Sequence, residues 1–554
     1  MTRATRIWTL AAALAWAAPA AAQPAGHALV LAAMQRDAAA ARALLATGAD
    51  VNAADGDGTT ALHWAAYHGD VDLARALLAA GAKVNAASRI GGMTALHMAA
   101  RNGHAAIVAL LLEAGADARE ANGNGTTVLM AAAGSGSAEA VTRLLDAGAD
   151  VNAVDATNGQ SALMFAAARN AEAAIRVLLA RGADPSAATK VVRLGRVLVD
   201  ANGDPLSEEE AARIRSRQAS TDPRRQGRVF GATVMGGMTA LHFAAREGHM
   251  AAVRALVEGG AGVNEVSGGE RTSPMVEAII NGHLDMARYL LDHGADPTLA
   301  NIDGLTPLYA TVDMKWRHNT WYPQPTVDEE RTGYLELMSA LMDKGADVNA
   351  RLMRKLWFRK FRYGDDWVEP MGATAFWRAA QANDIAAMRL LASRGADPQI
   401  PTLLGVTPLM VAAGVGFEYQ GTNIAPDARL AAVKYLVEDL HLDVNARDIQ
   451  YYTPLHGAAY VGQNDLVQYL VDRGADPKAR ARGRLGGTQG AVDVPEGTGD
   501  TVADMANGPR EKSLLHPDTV KLLESLGSIN SHDCRSTACV NNTKRDTPEK
   551  PPGQ

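Results

Sequence analysis

The sequence predicts an all-α solenoid of about eleven helix–turn–helix units, and three observations predict it. The chain repeats itself: segments starting near Gly58, Met93, Gly125, Gly159, Gly237, Arg271, Gly304, Gly372, Gly405 and Tyr452 align on one pattern. Where nothing intervenes the period is about 33 residues, the length of one helix pair plus a turn. Seven residues, Gly-Gly-Met-Thr-Ala-Leu-His, recur identically at 91–97 and 236–242. Composition agrees, because 47% hydrophobic with only 5% aromatic residues is poor material for one large core, whereas helices packed on alanine and glycine need few rings.

The elements follow in chain order. Residues 1–22 read as a cleavable leader: Arg3 and Arg6, then the apolar Ile7–Ala18, then Ala20-Ala21-Ala22 before Gln23. The apolar run is too short to span a bilayer, so export to the periplasm or beyond is expected, with no membrane span. Repeats are expected over 27–189, where the segment from His27 lacks the usual start and reads as a polar N-terminal cap. Within each unit a threonine (Thr60, Thr94, Thr239, Thr306, Thr407, Thr453) is placed to cap the first helix through its hydroxyl. Proline follows it at Pro307, Pro408 and Pro454, and Ser273-Pro274 does the same job. Ala-Ala pairs such as Ala65-Ala66 and Ala99-Ala100 allow close approach, and Ile107, Leu110 and Leu111 give the second helix an apolar stripe. A glycine such as Gly81, Gly115 or Gly148 then suits a left-handed C-terminal cap.

These copies resemble the ankyrin-repeat family, whose T-P-L-H-x-A-A…G-A-D-V-N-A pattern they reproduce over most of residues 27–527. The resemblance implies stacked helix pairs with projecting turns, protein binding through the concave side and turn tips, and no catalysis as a class. It places binding candidates on the concave side at Tyr67, His68, Arg101, Asn102, Arg246, Glu247 and Tyr460, and at turn tips at Arg89, Asn124, Arg271, Asp303 and Gln450. The unit at Gly372 departs from the pattern, with Ala375-Phe376-Trp377 where Pro-Leu-His is expected, which leaves its bonding to the next turn open.

Insertions interrupt the period. Residues 190–236 carry a strand-and-turn pattern, a short helix and a basic stretch, and read as a partner-touching arm or a solvated decoration. Repeats resume over 237–350 with an aromatic insertion near 313–333, and an aromatic and basic insertion fills 351–371. Five of the eight tryptophans (Trp316, Trp321, Trp357, Trp367, Trp377) fall in or beside these two segments, either as a mini-core or as a binding platform for a protein or an envelope polysaccharide. A milder insertion follows Val415. Repeats fill 372–481, a glycine-rich linker 482–500, a degenerate C-terminal cap 501–527, and a largely disordered tail 528–554. Cys534 and Cys539 in that tail read as a local disulfide, with a free or redox-active pair as the alternative.

No catalytic motif emerges. His63, His97, His242, His456, His104, His249 and His283 recur at repeat positions, and no metal-ligand cluster, phosphate loop or nucleophile elbow is present. The net charge of −7 lacks the basic balance of a nucleic-acid binder. The expectation is a monomeric, non-enzymatic scaffold without cofactor or metal, binding an unidentified protein partner in the cell envelope. The runner-up is a polysaccharide binder, and a third reading is a secreted effector acting on host proteins.

Overall fold

The computed structural model describes residues 25–193, 234–316, 330–354, 356, 368–417, 424, 428–482, 499–509, 513–531, 534 and 536. Among them are twelve helix pairs, from Ala25–Met34 with Ala38–Ala46 to Val502–Ala506 with Pro517–Ser525. The ten recognised copies and both degenerate ends thus each form a pair. Strand is confined, among the described residues, to a two-residue antiparallel ribbon, Val192–Arg193 against Val234–Met235. The chain is an all-α repeat solenoid.

It divides into two compact units, Met1–Ala187 with Ala251–Ala261, and Ala188–Met250 with Gly262–Gln554. In the first, the first helices Ala61–His68, Ala95–Arg101, Val128–Ser135 and Ala162–Ala167 stack in chain order, and the second helices stack beside them. The second unit repeats this from Ala240–Glu247 to Val502–Ala506. Alanine makes the stacking close: Ala65, Ala66, Ala99, Ala100, Ala132 and Ala133 are all buried, so the backbones meet with no long side chain between them. On the second helix Ile107, Val108 and Leu111 are buried, whereas Leu110 is only half covered.

Four units start with a threonine cap that meets a histidine, Thr60 with His63, Thr94 with His97, Thr239 with His242 and Thr453 with His456. The amide of Thr60 donates to His63 Nδ1 (3.1 Å), so that nitrogen carries no proton and Nε2–H donates to the Met93 carbonyl of the next turn (3.0 Å). His242 repeats this with Thr239 and Thr272, at 3.2 and 2.9 Å. His97 and His456 keep the threonine contact (2.9 Å each), but their Nε2 faces the backbone of Thr126 and Asp500 without a well-aligned hydrogen bond. At Gly372–Thr402 the open question is answered: Trp377 is fully buried and its indole N–H donates to the Val406 carbonyl (3.0 Å), the position His63 reaches in its own unit.

Asparagine forms a second ladder. Asn152 Nδ2 donates to the Gly182 carbonyl (3.1 Å) while its Oδ1 accepts from Asp184 N (2.9 Å), and Asn264, Asn349 and Asn445 bridge successive units in the same way. The two identical heptads mark the same geometry. Gly92 and Gly237 both have positive φ (62° and 66°), and a glycine of the next turn binds back to the first carbonyl of each heptad, Gly123 N to that of Gly91 (2.8 Å) and Gly269 N to that of Gly236 (3.2 Å). They are two copies of a structural unit, not of an active site.

The C-terminal pair is closed by chain expected to be tail. Ser531 donates through its amide and its hydroxyl to Asp504 Oδ1 (2.7 Å each), Ser528 accepts from Ala503 N (3.2 Å), and the buried Ser536 hydroxyl donates to the Ser513 carbonyl (2.6 Å). Cys534 is disulfide-bonded; Cys539 lies outside the described residues.

The first helix ends in a left-handed glycine with a second duty. A Cβ on Gly69 would stand 2.8 Å from the His104 ring, which passes over it to bond the Tyr67 carbonyl (3.1 Å). Gly81 shares the positive φ but has open space around it. Gly81→Ala should therefore cost the left-handed penalty alone, about 1–2 kcal/mol. Gly69→Ala should cost at least twice that, and urea unfolding midpoints of the two variants check the ratio.

Candidate protein-binding face

The capping and ladder residues occupy the interior and the turns. What remains outside that frame is the fourth, seventh and eighth residue of each first helix. In the first unit these are Trp64, Tyr67 and His68, then Met98, Arg101 and Asn102, then Ala131, Gly134 and Ser135, then Phe165, Ala168 and Arg169. The face is aromatic at both ends, long and polar at Arg101 and Asn102, and small at Ala131, Gly134 and Ser135, where a Cβ on Gly134 would lie 3.7 Å from the Phe165 ring. Tyr67 is 45% exposed and stands edge-on to Trp64, and His68 stacks on Trp64 while its Nε2 meets the Met34 carbonyl (2.9 Å). Arg101 and Asn102 are exposed, and Asn102 Nδ2 donates to the Met98 carbonyl (2.9 Å). These four candidates share one surface.

In the second unit Arg246 bonds its neighbour Glu247 (3.0 Å) and lies over the Phe243 ring. On the next helix burial pushes the Glu277 carboxyl up to about 7; Arg246 opposes this, while Glu270 and Glu247 add to it. Further along, the surface position is used internally. Arg378 Nε donates to Asp313 Oδ1 (2.8 Å) with both side chains almost wholly buried, and Arg378 also holds the Trp316 carbonyl. Asp384 caps the next helix at Ala387 N (3.0 Å) and accepts from Trp316 Nε1 (2.7 Å) and the Tyr334 hydroxyl (2.8 Å), whose pKa burial and that carboxylate raise.

Several expectations need correction. Tyr460 is 3% exposed, because it follows the Ala458–Ala459 pair where the next unit closes down, so it is core and not contact surface. Asp303 is buried at its turn and its backbone carbonyl accepts from Met353 N (2.7 Å). Trp316 is half-buried and committed to Asp384, and Trp377 belongs to the core. Trp321, Trp357 and Trp367 lie outside the described residues. Arg89 is exposed, but its side chain reaches the Gly56 carbonyl and its amide donates to Asp57 (2.6 Å). Asn124 and Arg271 are exposed at turn tips, and Gln450 is half-buried between Asp448 and Arg482. Trp64, Phe165, Phe243, Glu277 and Arg378 went unnoticed in the sequence; all stand one place beyond the "His" position, and reading that register alone would have found them.

Among the described residues no group of three or more His, Cys, Asp or Glu side chains is placed to hold a metal, and no helix is long and apolar enough to cross a membrane. The family described as ankyrin repeats (3 copies) matches residues 29–122, 96–189, 220–301 and 376–481, well over half the chain. The chain belongs to the ankyrin-repeat family. It is 29% identical to alpha-latrocrustotoxin-Lt1a of Latrodectus tredecimguttatus over 38% of this chain and 13% of the toxin. It is 33% identical to the putative palmitoyltransferase ZDHHC13 of Danio rerio over 52% of this chain and 30% of that protein. Over 9% of this chain and 21% of the relative, it is 49% identical to human ankyrin repeat domain-containing protein 49. The chain matches less than a third of the length of each. Ankyrin repeats are in general non-enzymatic binding scaffolds.

Two predictions test this account of the frame. Burial lowers the His242 pKa from 6.5 to about 4, so the folded protein binds fewer protons than the unfolded chain between those values. The stability His242 supplies is therefore full above pH 6.5 and is lost as pH falls toward 4. The stability gap between the parent and His242→Gln should shrink over that range, measured by urea unfolding at several pH values. Separately, Arg378→Met takes the guanidinium away from the buried Asp313 carboxylate and should cost about 3–5 kcal/mol, whereas Arg378→Met with Asp313→Leu should recover most of it. A double-variant loss equal to the sum of the Arg378→Met and Asp313→Leu losses would show that the pair is not coupled.

Proposed function

We propose that this ankyrin protein is an exported scaffold that holds a protein partner in the cell envelope through the first-helix face of its first unit. One observation carries the reading: Tyr67, Arg101 and Asn102 are exposed on neighbouring helices of a frame in which most other first-helix side chains are committed to caps, bridges or core. A face set on rigid helices loses little conformational freedom on binding, and tyrosine and arginine are the side chains that most often dominate such contacts. The relatives support a scaffold over an enzyme, since a toxin, a palmitoyltransferase and a repeat-domain protein share with this chain only part of their length. Placement outside the cytoplasm rests on the leader-like residues 1–22.

The test is affinity capture from a cross-linked envelope fraction with the chain from Gln23 onward, which keeps every described residue. A single partner should be enriched, and Tyr67→Ala with Arg101→Ala should reduce its capture by roughly tenfold or more. Capture that survives both substitutions would move the binding surface away from this face.

A further inference from the structure

The turn tips of the second unit have a chemistry that the repeat pattern does not require. In four successive units the outermost residue of the turn is a large aliphatic side chain in water: Ile302 (43% exposed), Met353 (67%), Leu403 (52%) and Ile449 (39%). The ribbon at the start of the same unit adds Val192 (51%) and Met235 (49%). These are most of the exposed large hydrophobic side chains among the described residues of that unit.

The row is fixed by backbone hydrogen bonds that link each tip to the one before. Ile302 N donates to the Glu270 carbonyl (2.9 Å), Met353 N to Asp303 (2.7 Å), Leu403 N to Met371 (2.8 Å) and Ile449 N to Leu404 (3.0 Å). The aliphatic side chains therefore stand along one edge, and with neighbouring helices about 8–10 Å apart four tips extend over roughly 30 Å.

Among the described residues of this edge the exposed charges are arginines. Arg193, Arg271, Arg354 and Arg447 are exposed beside the aliphatics. The tip acids Asp303 and Asp448 are buried, where Asp448 accepts from the Gln450 and Tyr452 amides (2.9 Å each) and burial raises both carboxyl groups. Glu270 and Glu369, the other described acids beside these tips, are half-buried. The edge therefore presents aliphatic and cationic groups alternately.

We propose that the turn-tip edge of the second unit docks on an anionic lipid surface, with Ile302, Met353, Leu403 and Ile449 entering the headgroup boundary and the flanking arginines meeting lipid phosphates. Projecting side chains spread over that length suit a fluid surface that yields around each of them, and arginine extends its guanidinium to the headgroups while its stem stays in the apolar layer. An acidic peptide would satisfy the charge, but it would need pockets to receive its own apolar anchors, and protruding tips are the inverse of pockets. This inference is independent of the protein-binding face, which lies on first helices of the other unit.

The experiment is co-sedimentation of the chain from Gln23 with vesicles of phosphatidylcholine containing about one-third phosphatidylglycerol, beside vesicles of phosphatidylcholine alone. Binding is expected to the anionic vesicles, to weaken in high salt, and to fall at least tenfold in the Ile302→Ser, Met353→Ser, Leu403→Ser, Ile449→Ser variant. It should fall similarly in Arg271→Glu with Arg354→Glu. All replaced side chains are exposed, and unchanged far-UV circular dichroism shows that the variants fold. No binding to anionic vesicles, or equal binding by the variants, overturns the proposal. Retention of an acidic, leucine-containing peptide by the parent but not the variants, with vesicles unbound, would make that peptide class the occupant instead.

Discussion

In several first helices the third side chain ties one unit to the next, and the start of the helix is built around it. In His63 and His242 one ring nitrogen completes the cap of its own helix and the other reaches the carbonyl before the next cap. The bond needs a neutral ring in one tautomer, and burial keeps it neutral by lowering its pKa. Trp377 does one half of the job alone. Its indole has a donor and no acceptor, so it bridges to Val406 and leaves the cap to the Thr374 hydroxyl, which accepts from Trp377 N (3.2 Å). Met130 and Met410 make the opposite choice, accepting the cap amides of Thr127 and Thr407 on sulfur and offering no donor to bridge with.

The fold was legible because its determinants are local and repeated. Threonine, Pro-Leu-His, alanine pairs and glycine sit at fixed offsets, and each has one physical use. What was not legible was the fate of a position once its neighbour in space changes. Tyr460 occupies the place Arg101 holds in its unit, yet it is buried because the next unit packs over it, while Arg101 stays in water. Trp316 looked like a binding aromatic because tryptophans cluster nearby in the sequence. Its partner Asp384 is 68 residues away and comes close only through stacking. The tip aliphatics escaped notice for a related reason: single Ile, Met and Leu residues carry no signal until the ladder of turn hydrogen bonds places them in one row.

The second helices contribute cohesion of a weaker kind. Arg181 reaches Asp146 (2.8 Å), Arg288 reaches Glu336 (3.4 Å) and Arg473 reaches Glu438 (2.5 Å), each pair crossing from one unit to the next in exposed surroundings. Such pairs contribute about 0–1 kcal/mol each and weaken in salt. The buried bridges at the helix starts and the Asn152-type ladder, by contrast, leave polar backbone groups without partners when removed, at a cost of about 1–3 kcal/mol each. Polar cohesion therefore resides on the cap and turn side, while the second helices hold through buried side chains such as Ile107, Val108 and Leu111, and their exposed faces tolerate change.

That division also explains why the first-helix face is not uniform. In the first unit Tyr67, Arg101 and Asn102 contribute little to joining neighbours, so their chemistry can be set by a partner. At Asp313 and Arg378 the seventh residue of one helix and the fourth of a later one are joined across a buried ion pair, and the desolvation cost of that pair is offset only by close geometry. The connection between Lys315 and Tyr334 is longer in sequence than the usual turn although the two helices still pack together, and the Arg378, Asp384, Trp316 and Tyr334 contacts join the described residues at its ends to the next unit. Side chains available for recognition in a regular repeat are here consumed in accommodating an insertion. The proposed recognition by first helices thus falls to the regular repeats of the first unit, and the second unit's distinctive exposed chemistry is at its turn tips.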